Sequence, residues 1–485
     1  MKDERGLEIS DKKAWWIIGI MAFVFMIPHS MAPWGNGNYP TDVCVYSRCA
    51  MWMSDGLVMY RDMFDHKGPL VYLVYQLFTS IAGLQGVWLF DILIAGVMMG
   101  LFYRIGRLYN DEKSSLVISL LMGMYMQLPF VDGGGPEWIA APWCAYCCYV
   151  MARHLKDGGY FSFAEMGILA MSVGVCLMTK VNTSAGIIPI AAYALYHLIR
   201  YWNGRVFLRY AGAVTAGLGV VFVPIAWWLY KEGNFNEFID CYMRFNLHGY
   251  GEQTGYSQLT GARDITLASI PGYIFFAAFL TFRHKDKRTV FWVSMVFLFS
   301  MVLNAYIKNG YQHYIFPCFG IFALLLSMSW EGIRKSRPWH VIVVFVCALI
   351  GVVTYGVRVY LRAFPFDKSH DTEVSSFLNS ESGEDGYVMI YPFMDRTMYI
   401  VTDPEYCYTY RLWLLANGKP ASRYFYSPPG MTEEMYQESW REITEHAPKW
   451  VVAHEQNSED ILRLGYEIYK QEPSGYQILK MKDER

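Results

Sequence analysis

The chain has 485 residues, is 54% hydrophobic and 17% aromatic, and carries a formal net charge of −2. That balance gives no electrostatic case for nucleic acid as a partner. The apolar residues fall in runs of roughly 17 to 22 between Trp15 and Tyr360, the length that crosses a ~30 Å hydrocarbon core, and after Arg362 they give way to mixed polarity.

In chain order the predicted spans are 15–33, 86–103, 115–131, 138–153, 163–180, 185–201, 207–230, 266–282, 289–306, 313–330 and 340–360, about eleven in all. The first has no A-x-A cleavage site and many spans follow it, so it reads as a retained helix rather than a signal peptide. The stretch Leu70 to Ala82 either crosses or lies at the interface, and the choice inverts everything after it. If it does not cross, one side collects Lys2, Arg5, Lys12 and Lys13, then Arg104, Arg107 and Lys113, then Arg153 and Lys156, then Arg200, Arg205 and Arg209, then Arg283, Lys285, Lys287 and Arg288, then Arg334, Lys335 and Arg337. The longer loops of the other side are sparsely basic. The positive-inside rule therefore predicts an interfacial 70–82, a cytoplasmic N-terminus, and outside loops at 35–68, 132–137 and 231–265.

Residues 363–485 alternate as a small α/β domain on the outer side. Tyr387–Tyr391, Trp450–Ala453 and Tyr476–Met481 read as strands. A helix opened by Thr432 ends before Pro448, and Ser458–Leu464 is a short helix. Cys144, Cys147 and Cys148 have CxxC spacing but sit in an apolar helix without His or acidic partners, so they read as packing residues rather than a zinc site. Cys407 alone lies in the C-terminal domain, where no disulfide framework follows.

Chemistry concentrates in the first outside loop. Thr41 or Asp42 is placed to cap a helix running to about Met53, with Tyr46 one turn after Asp42 on the same face. Asp42 is either a general base for an incoming hydroxyl or only a cap. Arg61, His66 and Lys67 either bind a phosphate or form a solvated edge facing lipid headgroups. The Gly133–Gly135 run lacks the Lys-Ser/Thr of a P-loop and reads as a turn. Asp91, inside a span, is either functional or paired with a neighbouring helix. Trp227 and Trp228 read as an interfacial belt.

The arrangement Asp42, Gly56, Tyr60, Asp62, then Asp65-His66-Lys67-Gly68-Pro69-Leu70 resembles the GT-C membrane glycosyltransferases. It is most similar to the branch of bacterial dolichyl-phosphate-mannose:protein mannosyltransferases and aminoarabinose transferases. There a G-x-x-x-Y-x-D-x-x-D-x-K-x-P-L run follows an acidic residue of the first periplasmic loop. The resemblance implies an α-helical polytopic membrane protein of GT-C type, with a transmembrane domain at 1–362 and an extracytoplasmic domain at 363–485. It implies inverting transfer of a sugar from a polyprenyl-phosphate carrier to a periplasmic glycolipid, polysaccharide or protein. Asp42 and Glu137 would be the catalytic acids. Tyr46, Tyr60, Arg61, Asp62, Asp65, His66, Lys67, Lys180, Arg244, His313 and Tyr314 would contact substrate. Lys180 matches a lysine near the outer end of a helix, and His313-Tyr314 a pair opening a later one; either set is also readable as structural. Arg244 touches the sugar or only the domain above it. No cofactor is required; the carboxylates permit a divalent cation. The other class of reading is a transporter or flippase of a lipid-linked saccharide. Its expected signs are repeats and midplane polar groups, whereas the polar residues here gather in outside loops.

Overall fold

The computed structural model describes all residues except 1–10, 36, 38, 131–132, 201–202, 249–257, 284–285, 307–310, 364–368, 383–385, 391–410, 427–430, 456–457, 473–475 and 483–485. Lys2, Arg5, Lys285, Tyr391 and Cys407 thus lie outside the described residues. The long helices are α1 (Asp11–Phe25), α4 (Gln85–Arg107), α5 (Glu112–Met126), α6 (Gly135–Asp157), α7 (Phe163–Thr179), α8 (Ile188–Arg200), α9 (Gly204–Glu232), α12 (Gln258–Arg283), α13 (Lys287–Tyr306), α14 (Phe319–Lys335) and α15 (Pro338–Ala363). Between them lie α2 (Thr41–Ser54), α3 (Pro69–Ala82) and the short α10 (Phe235–Phe238) and α11 (Phe245–His248), joined by a π-helical turn Ile239–Arg244. Six helices are long and apolar enough to cross a membrane by length and composition: α4, α9, most of α12, α13, α14 with the turn before it, and α15. That is five fewer than the eleven predicted spans: α1, α5, α7 and α8 have only 13 to 17 helical residues, and α6, with 23, falls short by composition rather than length.

Side-chain contacts define two ends of the bundle. At one end, Trp88 Nε1 of α4 donates to Met26 O after α1 (2.9 Å). Tyr355 of α15 donates to Val24 O at 2.8 Å, and Arg358 to Gln127 Oε1 after α5 at 2.9 Å. At the other end, Tyr103 of α4 bonds Asp11 of α1, Arg107 faces Glu112 of α5 (3.3 Å), Arg153 of α6 pairs with Glu165 of α7, and Arg283 donates to Met328 O of α14 (2.8 Å). The α3 helix begins at the first end, where Gly68 N donates to Thr179 O at the end of α7 (2.8 Å). It also finishes there, two residues before α4 begins. Its buried face carries Val71, Tyr72, Tyr75 and Thr79, while Leu77 and Ile81 point outward. An amphipathic helix with both ends at one level lies along an interface.

A buried polar node sets the height of the second outside loop. His29 Nε2 lies 2.8 Å from Asp91 Oδ2 of α4, both fully buried. His29 Nδ1 accepts from Met31 N (2.9 Å), so the ring proton sits on Nε2 and is donated to Asp91. Asp91 Oδ2 also accepts from Gly133 N (2.9 Å), and Gly133 O accepts from Tyr75. Asp91 is therefore paired with a neighbouring segment. Gly133, Gly134 and Gly135 all have positive φ (81°, 55° and 59°). A Cβ on Gly133 would come within 2.1 Å of Val43 Cγ2, so the turn read from the run requires glycine.

The C-terminal domain carries a five-stranded mixed sheet of order β2-β1-β3-β5-β4, formed by β1 (Tyr387–Ile390), β2 (Lys419–Pro420), β3 (Trp450–His454), β4 (Tyr466–Gln471) and β5 (Tyr476–Met481). Its β1 runs parallel to β2 and β3, and β5 antiparallel to β3 and β4. Helices α16 (Ser369–Ser382), α17 (Glu433–His446) and α18 (Ser458–Arg463) accompany it. Thr432 caps α17 by accepting from Met435 N (3.3 Å). The sequence patterning missed α16, β2 and β4; β4 is exposed over most of its length and carries no apolar alternation to detect.

The polar node predicts a graded stability effect. Asp91→Ala leaves the His29 and Gly133 donors buried without an acceptor, at a cost of about 3 kcal/mol, while Asp91→Asn keeps one acceptor oxygen and costs about 1 kcal/mol. Thermal unfolding of the purified variants in detergent checks the order; equal melting temperatures for Asp91→Ala and wild type would show that the node carries no stability.

Candidate active site

The first element of the site is α2. Pro40 occupies its N-cap with extended backbone and no side-chain capping bond, so the expectation that Thr41 or Asp42 is the capping residue is corrected. Asp42 lies in the first helical turn and is exposed, where the positive helix end favours its charge. Tyr46 donates to Asp42 Oδ2 at 3.4 Å from the next turn. Tyr46 is fully buried, and burial followed by Asp42 holds its hydroxyl well above the usual tyrosine range, so it remains a donor. The far end of α2 docks on the C-terminal domain: Arg48 and Trp52 Nε1 both donate to Gly418 O (3.4 and 3.2 Å), and Trp52 packs edge-on against Trp413 and Phe425.

The second element is loop 55–68, which divides into two parts. In the first, Val58 N donates to Asp62 Oδ2 (2.7 Å) and Arg61 Nε pairs with Asp62 Oδ1 (2.8 Å). Arg61 and Asp62 thus form a half-exposed turn that engages its own charges. Tyr60 holds a left-handed φ of 69°, a strained conformation for a bulky residue costing about 1–3 kcal/mol. Its buried hydroxyl donates to Lys67 O (2.9 Å) and so fixes the second part.

That second part, Asp65-His66-Lys67, is buried. Lys67 Nζ lies 2.6 Å from His66 Nε2. An ammonium only donates, so Nε2 accepts and the ring proton sits on Nδ1, 3.2 Å from Asp65 Oδ1. Lys67 Nζ is also 4.0 Å from Asp65 Oδ1, which accepts from Tyr426 of the C-terminal domain at 2.9 Å. Burial, and then Lys67, push His66 down to about 4. Burial alone would raise Asp65, but Lys67 and His66 outweigh it and hold the carboxyl well below the usual range. Asn246 Nδ2 clamps His66 O (2.7 Å). A Cβ on Gly68 would lie 2.2 Å from Met178 O, so only glycine lets this loop approach α7.

The third element joins three helix ends. Glu137, in the first turn of α6, is 1% exposed. Its Oε1 lies 2.8 Å from Lys180 Nζ just beyond α7, and its Oε2 lies 3.9 Å from His313 Nε2 ahead of α14. Lys180 Nζ also sits 3.8 Å from the Tyr314 ring centroid, a cation–π contact, and the Tyr311 and His313 rings stack. The position of a Gly135 Cβ would be 3.6 Å from Glu137 Oε2 and 3.9 Å from Tyr46 Cε2, which places the first and third elements side by side. His313 is within electrostatic reach of Asp42 and Lys67, and His66 of Lys180.

The structure thus brings together Asp42, Tyr46, Asp65, His66, Lys67, Glu137, Lys180, His313 and Tyr314, with Tyr60 beneath them. It does not bring in Arg61, Asp62 or Arg244; the last is exposed and pairs with Asp240 (2.5 Å). Tyr426 joins the site without having been singled out, and Asn246 and Tyr311, neighbours in sequence of Arg244 and His313, join it as well. Tyr426 is 361 positions from Asp65, a separation over which no local pattern informs. Among the described residues no group of three or more His, Cys, Asp or Glu side chains assembles to hold a metal. The oxygens of Glu137 and Asp65 face cations and donors instead, so this donor set does not fit a divalent ion and no step is routed through one.

A pH effect follows from His66. Its ordinary value is 6.5 and its folded value about 4, so folding favours the neutral ring. That stability is fully present above pH 6.5 and is lost as pH falls toward 4, amounting to about 3 kcal/mol at full development. Asp65 stays ionised across this window. The melting temperature of wild type should fall more between pH 7 and pH 5 than that of His66→Gln; identical pH slopes for the two would remove His66 as the cause.

No family model matches the sequence, and no curated protein matches it. Among solved structures, the chain is similar to ArnT, an aminoarabinose transferase, from Cupriavidus metallidurans bound to undecaprenyl phosphate, with a TM-score of 0.64 at 12% identity, over 97% of this chain and 98% of that one. The apo form of that protein gives a TM-score of 0.59 at 12% identity, over 97% and 98% of the two chains. The apo oligosaccharyltransferase of Archaeoglobus fulgidus gives 0.54 at 12% identity, over 97% of this chain and 74% of that one. The chain therefore has the fold of the GT-C membrane glycosyltransferases, the one implied by its first-loop motif.

Proposed function

We propose that this protein is an inverting membrane glycosyltransferase that moves one sugar from a polyprenyl-phosphate carrier to a hydroxyl of a periplasmic acceptor. One observation carries the reading: an exposed carboxylate, Asp42, shares one end of an apolar bundle with the buried Lys67 and the partly buried Lys180. The shared fold supports it, since one similar structure holds undecaprenyl phosphate.

The acceptor oxygen attacks the anomeric carbon on the face opposite the phosphate. The bond from that carbon to the phosphate oxygen breaks, and the acceptor proton passes to Asp42. Tyr46 holds one carboxylate oxygen of Asp42, leaving the other to take the proton. The leaving polyprenyl phosphate gains negative charge, which Lys180 and the Lys67 cluster stabilise without reorganising. Glu137 is buried with one oxygen on the Lys180 ammonium and the other toward the His313 ring, so it positions Lys180 and His313 and is a poor proton acceptor. The exposed Arg61, Asp62 and Arg244 are left as rim contacts for the acceptor. The C-terminal domain fixes Asp65 through Tyr426 and covers α2.

The site end of the bundle faces the periplasm of a bacterial inner membrane in this reading, with the shorter helices completing the crossings. Lys12, Arg107, Lys156, Lys287 and Arg334 then meet the cytoplasm. An impermeant thiol reagent applied to intact spheroplasts should label Lys482→Cys and spare Lys287→Cys, in a background without the native cysteines. The reverse pattern would turn the scheme over.

Asp42→Asn removes the basic oxygen without touching a cap, because Pro40 is the capping residue. Purified Asp42→Asn should melt within a few degrees of wild type yet transfer sugar from a labelled polyprenyl-phosphate donor ~10²–10⁴-fold more slowly. Normal turnover in this variant would remove Asp42 as the base and with it the proposed mechanism.

A further inference from the structure

The end of the bundle away from the site contains a cavity of about 420 Å³ between the ends of α4, α5, α6 and α14. Tyr109, Asn110, Ser114, Lys156, Trp330 and Arg334 are among its walls. Its charges are unevenly engaged. Asp111 caps α5, accepting from Ser114 N (2.8 Å) and Oγ (3.2 Å). Glu331 is paired with Lys335 at 2.5 Å, and Arg107 with Glu112 (3.3 Å) and Asp11 (3.6 Å). Among the described residues, Lys156 and Arg334 face no carboxylate within ion-pair distance; Lys156 Nζ donates only to Leu108 O (2.5 Å). Trp330 is 7% exposed, and its indole N–H has no hydrogen-bond partner. A buried donor in that state is uncommon. Here it accompanies two cations that make no close ion pair among the described residues, although Arg334 is within electrostatic reach of Asp111 and Glu331.

Depth identifies the class of ligand. Lys156 and Glu137 are 19 positions apart on α6 (156 − 137), or about 28 Å along a helix, close to the ~30 Å thickness of a hydrocarbon core. The cavity therefore opens at headgroup level on the bilayer face opposite the site. Its volume is in the range of small-ligand pockets, roughly 300–1,000 Å³, with room for a phosphodiester and a small polar headgroup. Lysine and arginine donors around one void suit phosphate oxygens. We infer that this cavity is a phosphate-binding site that takes the headgroup of an anionic phospholipid from the opposite leaflet. The inference is independent of the proposed transferase chemistry and of which compartment each face meets.

The test uses full-length protein in neutral detergent, with phosphatidylglycerol and phosphatidylcholine titrated and retained lipid counted by native mass spectrometry. Wild type should hold one phosphatidylglycerol in preference to phosphatidylcholine. Lys156→Gln/Arg334→Gln should lower its apparent affinity at least about tenfold. Lys287→Gln/Arg288→Gln, basic residues that do not line the cavity, should retain it. Millimolar inorganic phosphate displacing the lipid would support the same site with soluble phosphate as a second source. Lipid retention unchanged in Lys156→Gln/Arg334→Gln, or lost equally in Lys287→Gln/Arg288→Gln, would overturn the inference, the latter by showing diffuse charge only. Melting temperatures without lipid verify folding; if the double variant does not fold, the exposed Arg334→Gln alone gives the comparison.

Discussion

The buried carboxylate of Glu137 sets the constraint from which the rest of the site follows. An ionised group removed from water must be paired and hydrogen-bonded or its desolvation cost is prohibitive. Glu137 sits in the first turn of α6 at 1% exposure, and its partners come from the ends of two other elements, Lys180 beyond α7 and His313 before α14. Satisfying one charge therefore draws three helix ends to the same height. The glycine turn ahead of it, held by Asp91 and Tyr75, sets that height from the other side. A charge buried this way specifies geometry rather than adding net stability.

The same logic separates the roles of the acids. Asp42 is exposed, and among the described residues its carboxylate bonds only the Tyr46 hydroxyl. Glu137 and Asp65 are each tied to a lysine. Residues of one type, placed in one region, thus divide by environment alone into one exposed carboxylate and two buried ones tied to lysines. In the proposed reaction the first takes the proton and the other two hold cations for the phosphate.

What the sequence revealed depended on how local each feature was. Apolar runs mark helices directly, because each helix satisfies its own backbone groups. The placement of α3 along an interface followed from charge asymmetry; the structure adds that Gly68, just before it, bonds Thr179 at the end of α7. The strands β1, β3 and β5 are apolar and were legible; the exposed β4 and the two-residue β2 were not. In the site, the first-loop motif marked the cluster from Tyr60 to Lys67, but it could not separate the turn-forming Arg61 and Asp62 from the buried Asp65, His66 and Lys67. That division rests on Tyr426 and Asn246, which reach the loop from distant parts of the chain. The cap assignment at α2 failed for a related reason: proline before Thr41 already presets the extended backbone, so no side chain was needed.

The contact between Tyr426 and Asp65 gives the C-terminal domain a physical link to the chemistry. Asp65, which lies against His66 and Lys67, also accepts from the Tyr426 hydroxyl, and the Phe64 amide is bonded to Arg423 O (2.8 Å) beside it. On the other flank Arg48 and Trp52 tie α2, and with it Asp42, to Gly418 O. Both loop segments that carry the site are thus fastened to one domain at two separate points. Displacement of that domain would loosen the Lys67 cluster and tilt α2 together. The C-terminal domain is therefore part of the scaffold that sets the spacing between Asp42 and the Lys67 cluster.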